Sequence, residues 1–117
     1  MKTSSAKAKG RLLQQYVVKV LRDRYKLDKN ITDCYEGDVQ SIPMGMSKED
    51  IKLSPKAQKL IPFNIECKNQ EKLNVWSALK QAEVNTTKGR VPLLVFKRNR
   101  SKVYAVLELD ELMKLIK

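Results

Sequence analysis

The chain has 117 residues, room for one compact domain, and its 24 Lys and Arg against 13 Asp and Glu leave a formal charge of +11, which favours a polyanionic partner such as nucleic acid. The absence of histidine excludes Ser-His triads, imidazole acid-base catalysis and imidazole-dependent zinc sites, and two cysteines, Cys34 and Cys67, are too few for a zinc cluster or a disulfide framework. No apolar run approaches the roughly 18 residues of a membrane span, and no apolar stretch of the kind a secretion signal needs accompanies Lys2, Lys7, Lys9 and Arg11, so a cytoplasmic location is expected.

The first periodic segment, Ser5 to Tyr25, places Leu12, Leu13, Tyr16, Val17, Val20 and Leu21 at helical spacing with basic residues between them. Ser4 and Ser5 are its candidate caps, and residues 1–10 read as a flexible basic arm. A strand is expected around Asp33 to Ile42, punctuated by Gly37, Pro43 and Gly45. The runs 50–54 (Asp-Ile-Lys-Leu-Ser) and 63–68 (Phe-Asn-Ile-Glu-Cys-Lys) alternate polar and apolar residues with period two, as half-buried strands do. The connection from Pro55 to Pro62 is short enough for these two strands to pair antiparallel. Asn74 can cap a helix over Val75 to Thr87, whose apolar stripe of Val75, Trp76, Leu79 and Ala82 assigns Trp76 to the core. The β-rich runs Val91 to Lys97 and Lys102 to Leu109 then flank a basic hairpin tip, Arg98-Asn99-Arg100-Ser101. Asp110 is a candidate cap for a terminal helix, Glu111 to Ile116.

In strand geometry Asp50, Lys52 and Ser54 share one face, and Asn64, Glu66 and Lys68 share one face of the following strand. If the two polar faces coincide, two carboxylates and an ammonium converge. Such a cluster can hold Mg²⁺, a hard cation that takes oxygen ligands, with Asp50, Glu66 and the main-chain carbonyl of Cys67 as donors. The Cys67 thiol would point into the core.

An Asp opening one strand and a Glu-x-Lys sixteen residues later on the next, here Asp50, Glu66 and Lys68, resemble the metal site of the PD-(D/E)XK nuclease superfamily. The resemblance extends over nearly the whole chain and is greatest to archaeal-type Holliday junction resolvases, whose opening helix carries Gly-x-x-x-Glu. Here that stretch is Gly10-Arg11-Leu12-Leu13-Gln14, so an amide replaces the acidic residue. The superfamily's Pro is absent too, because Glu49 precedes Asp50; a register slip of one residue would exchange the two acids.

The resemblance implies an α/β restriction-endonuclease-like domain, a central mixed five-stranded sheet flanked by helices in the order α-β-β-β-α-β-β-α. It implies a Mg²⁺-dependent endodeoxyribonuclease acting on four-way junctions or other branched DNA, with Mn²⁺ able to substitute, working as a homodimer in a prokaryotic cell or a virus-infected host. Asp50, Glu66 and Lys68 would be its catalytic residues, completed by Gln14 and by Gln81 of the second helix, with Ser41 and Ser47 as further candidates ahead of Asp50. Lys7, Lys9, Arg11, Lys52, Lys88, Arg90, Arg98 and Arg100 are the expected DNA contacts, because the acid-free blocks Lys2 to Arg11 and Lys88 to Lys102 would grip phosphates. A virus-type repair or nicking nuclease of the same superfamily, and a DNA-binding module without catalysis, are the alternatives left open.

Overall fold

The structure, a computed structural model, describes residues 3–43 and 49–116. Its elements are helix α1 (Thr3–Tyr25), strands β1 (Val39–Ser41) and β2 (Ile51–Leu53), helix α2 (Pro55–Leu60), strand β3 (Phe63–Asn69), helix α3 (Val75–Asn85), strands β4 (Val91–Lys97) and β5 (Tyr104–Val106), and helix α4 (Leu109–Leu115). The class is α/β, as expected, but the described strands form two sheets. β1 and β2 make an antiparallel pair with Ser41 opposite Ile51, and β3, β4 and β5 make the second sheet.

The antiparallel pairing expected between the two alternating strands does not form. β2 takes β1 as its partner, while β3 pairs in parallel with β4, Glu66 opposite Leu94. The reason lies in the connection: Ser54 accepts a hydrogen bond from the Ala57 N–H and Pro55 occupies the first helical position, so residues 55–60 wind into α2 and carry the chain across. β4 and β5 are antiparallel and enclose the basic tip.

The two faces of β3 have different cover. Ile65 and Cys67 are buried in the main core with Leu13, Val17, Val18 and Leu21 of α1. On the opposite side Ala78 and Ala82 of α3 are buried, as is Leu94, the register partner of Glu66. α1 buries its 13–17–21 row with Gln14 and Val18, leaving the adjacent row, Leu12, Tyr16 and Val20, exposed. It begins at Thr3, so residues 3–10 continue the helix and Ser4 and Ser5 lie within its first turn. Trp76, expected in the core, is 82% exposed in the first turn of α3, where the short helix needs only Ala78 and Ala82 for its contact. α3 has its Asn74 cap, accepting from the Ser77 N–H at 3.1 Å. α4 starts two residues early, at Leu109 after Glu108, and Asp110 sits in its first turn. Ser47 lies outside the described residues.

The long connection between α1 and β1 is organised by one buried guanidinium. Arg22 donates to Asp28 Oδ2 at 3.1 Å and to the carbonyls of Ile31, Asp33, Glu36 and Val39 at 2.7 to 3.1 Å. Asp28 in turn accepts from the Asp38 and Val39 N–H groups; burial alone would raise its pKa, but these bonds and Arg22 hold it below the usual value. Gly37, at φ +93°, is required beside this carboxylate, because a Cβ there would stand 2.6 Å from it. Arg22→Ala leaves Asp28 and several carbonyls buried without their donor, and we expect a loss of about 3 to 5 kcal/mol in urea denaturation. A loss below about 1 kcal/mol would show that the loop holds its shape without the guanidinium.

Candidate active site

Asp50 stands at the entrance of β2 and reaches across to the second sheet, where its Oδ2 accepts the Cys67 N–H at 2.6 Å. The neighbouring Ile42 N–H donates to the Asp50 carbonyl at 2.9 Å, so side chain and backbone of this residue are both fixed. Asp50 is therefore the acid turned toward β3, and Glu49 is exposed. On β3, Glu66 is 4% exposed and its Oε1 lies 3.9 Å from Lys68 Nζ, as expected for residues two apart on one face.

The electrostatics follow from burial. Burial raises the pKa of Asp50, against the opposing effects of the Cys67 N–H and the Lys68 ammonium. Glu66 is raised to about 7, first by burial and then by the negative charge of Asp50, with Lys68 and the Asn85 amide of α3 pulling the other way. Its Oε2 is buried and has no hydrogen-bond partner among the described residues. The Cys67 thiol, buried and beside both carboxylates, is pushed well above its ordinary value and is no nucleophile.

Two mutually repelling carboxylates and an unpartnered buried oxygen are the donor set that suits a divalent cation. A residue in a strand turns its N–H and C=O to the same edge, so the Cys67 carbonyl faces the edge that Asp50 approaches. Among the described residues no group of three or more Asp, Glu, Cys and His side chains gathers as a metal cluster.

The other candidate residues are dispersed. Gln14 is buried on α1, its Oε1 accepting from Ser41 Oγ at 2.9 Å, and it lines a cavity of about 190 Å³ with Lys7, Arg11 and Tyr35. Gln81 is exposed on α3. The residue of that helix which faces Glu66 is Asn85, four positions later on the same face, a spacing that could have revealed it. Lys52 and Lys88 are exposed, and Arg98 lies on the side of the hairpin facing Glu71 and Leu73. Arg90, one of the expected DNA contacts, donates to the carbonyls of Ile61 at 2.5 Å and Phe63 at 2.8 Å, on either side of the turn from α2 into β3. Lys9 and Arg100 line one groove of about 700 Å³ together with Lys97 and Lys102.

An acid at a strand entrance, a buried Glu and a Lys two residues on are thus gathered on an α/β core. The chain belongs to the family described as "Phage putative PDDEXK endonuclease", whose model matches residues 5–117. No curated protein and no solved structure matches it. Nucleases of this superfamily generally use divalent metals and act on DNA.

Because the folded state holds the Glu66 proton up to about pH 7 while the unfolded chain releases it near 4.5, stability without metal falls as pH rises through that window. Glu66→Gln removes this penalty. In chelator, the thermal midpoint of Glu66→Gln minus that of the native chain should therefore grow from pH 5 to pH 8, and a constant difference would show that Glu66 titrates normally.

Proposed function

We propose that the chain is a Mg²⁺-dependent endodeoxyribonuclease that hydrolyses phosphodiester bonds in branched DNA, in the manner of a Holliday junction resolvase. The observation that carries the reading is the approach of Asp50 to β3, which sets its carboxylate beside Glu66 and Lys68 in a chain of charge +11. Asp50, Glu66 and the Cys67 carbonyl would hold the cation, which supplies Lewis-acid stabilisation of the reacting phosphate and a more acidic water. The Cys67 N–H keeps the Asp50 carboxylate oriented. Glu66 Oε2, buried and without a hydrogen-bond partner among the described residues, would meet a cation without first breaking a bond of its own. Lys68, half-buried at the end of the same face, places a positive charge where negative charge develops as water adds to phosphorus and the 3′ or 5′ oxygen leaves.

The homodimer belongs to the same proposal. α4 buries none of its residues, and Leu109, Met113 and Ile116 are exposed on it, an apolar face that a second copy would cover. Two copies would bring two sites to the two strands that junction resolution must cut.

The experiment is cleavage of a four-way junction, a nicked duplex and an intact duplex, with Mg²⁺ and with chelator. We expect metal-dependent product and a preference for the junction. Asp50→Asn keeps an acceptor for the Cys67 N–H, so it should fold normally while losing cleavage, as should Glu66→Gln. Lys68→Ala should lower turnover by about 10² to 10³, the scale of one preorganised electrostatic group. Junction affinity should stay within a few-fold in all three. Full activity in Asp50→Asn and Glu66→Gln would refute the site, and binding without any product would make the chain a DNA-binding module.

A further inference from the structure

The groove of about 700 Å³ between α1 and the β4–β5 hairpin joins the two basic blocks that the sequence keeps some ninety residues apart. Lys9 of α1 stands on one wall, Lys97, Arg100 and Lys102 on the other, and no carboxylate lines it. None of these four cations is in an ion pair among the described residues. Four uncompensated charges facing one concavity favour an anionic chain within it.

The walls are fixed. Asn69, at the end of β3, donates from Nδ2 to the Lys9 carbonyl at 3.1 Å and ties α1 to the sheet at the groove floor. The hairpin is held by the Gln70 N–H on the Lys97 carbonyl at 3.1 Å and by the Asn99 N–H on Glu71 Oε2 at 2.5 Å. At its tip Arg100 takes φ +64°, a left-handed conformation that few side-chain-bearing residues adopt. The Ser101 hydroxyl, accepting from the Arg98 N–H at 3.0 Å, closes this turn.

The wall contributed by α1 is not only basic. Leu12 and Tyr16, one turn apart, are 60% and 52% exposed where they line the groove. Cations that follow a backbone beside an accessible aromatic ring are the elements of single-strand recognition, in which an unpaired base lies on the ring. A base paired within duplex keeps its faces stacked on its neighbours and has none to offer.

The geometry points to this groove as a binding site for single-stranded DNA, with phosphates held by Lys9, Lys97, Arg100 and Lys102 and an unpaired base stacked on Tyr16. The inference rests on the nuclease reading for its choice of DNA, and it specifies the substrate: DNA with an unpaired stretch beside the scissile bond. Asn69 lies two residues beyond Cys67 on β3, about 7 Å along the strand, so the groove opens next to the carboxylate site. Lys68 and Asn69 turn to opposite faces, which puts the reacting phosphate and the gripped strand on either side of the β3 terminus.

The test is fluorescence anisotropy in chelator, where no cleavage occurs, with a labelled single-stranded DNA, the same strand as duplex and as RNA, over a range of salt. Tyr16→Ala should weaken single-stranded DNA about tenfold, leave duplex unchanged, and be rescued by Tyr16→Phe, which keeps the ring. Lys9→Ala with Arg100→Ala should make the single-strand slope of log K against log salt shallower by about 1.4. Equal losses on duplex, no effect of Tyr16→Ala, or tighter binding of RNA than DNA would overturn the inference. All these side chains are exposed or half-buried, and circular dichroism confirms that each variant is folded. Cleavage with Mg²⁺ is followed in parallel: native cleavage with unaltered Tyr16→Ala binding removes the groove and keeps the nuclease, whereas the expected binding with no cleavage keeps the groove and removes the nuclease.

Discussion

The hydrogen bond from the Cys67 N–H to Asp50 Oδ2 is the contact on which the site depends. β2 is laddered to β1 and β3 to β4, so this bond joins two sheets at the candidate site. It is charge-assisted and partly buried, and so stronger than an ordinary amide bond. Its consequences run outward. With Asp50 pinned to β3, its charge falls on Glu66, whose carboxyl is already deprived of water, and one of the two acids is driven to share its proton with neutral solution. A cation relieves both costs together, since it replaces the missing solvent of Glu66 and cancels the repulsion.

The β1–β2 pair that presents Asp50 is itself braced at both ends. Ser54 donates to Asp38 Oδ1 at 2.7 Å while capping α2, and Ser41 donates to Gln14 from the other end. Arg22 anchors the approach to β1 through the Val39 carbonyl. Gln14, through the Ser41 hydroxyl whose hydrogen bond it accepts, thus holds β1 against α1. The arrangement separates tasks along one strand: β3 carries Glu66 and Lys68 on one face, core residues on the other, and at its end the amide that fastens α1.

What could be read from the sequence follows from which features have a period. Glu66 and Lys68 share a face in any strand, whichever neighbour that strand chooses, and so their association was legible. The neighbour was not, since alternation is blind to pairing; what decides it is the Ser54-Pro55 start of α2, a local cap that the strand period does not contain. α1 offers two adjacent apolar rows, and periodicity cannot tell the buried 13–17–21 row from the exposed Leu12, Tyr16 and Val20. Trp76 failed for the same reason: a helical position says which residues lie together, and nothing about whether a partner lies over them. Arg22 and Arg90 were illegible because carbonyl acceptors are supplied by every residue and leave no pattern.

The central claim, that Asp50 and Glu66 together form a divalent-cation site, is tested most directly by titrating Mn²⁺ into the metal-free protein by calorimetry at pH 6.5, in two buffers of different ionisation enthalpy. With Glu66 titrating at about 7, most molecules carry its proton before metal arrives, and the account predicts release of somewhat under one proton for each Mn²⁺ bound. Glu66→Gln should weaken the binding and abolish the release. Mn²⁺ bound as tightly by Glu66→Gln, or bound with no proton released by the native chain, would contradict it.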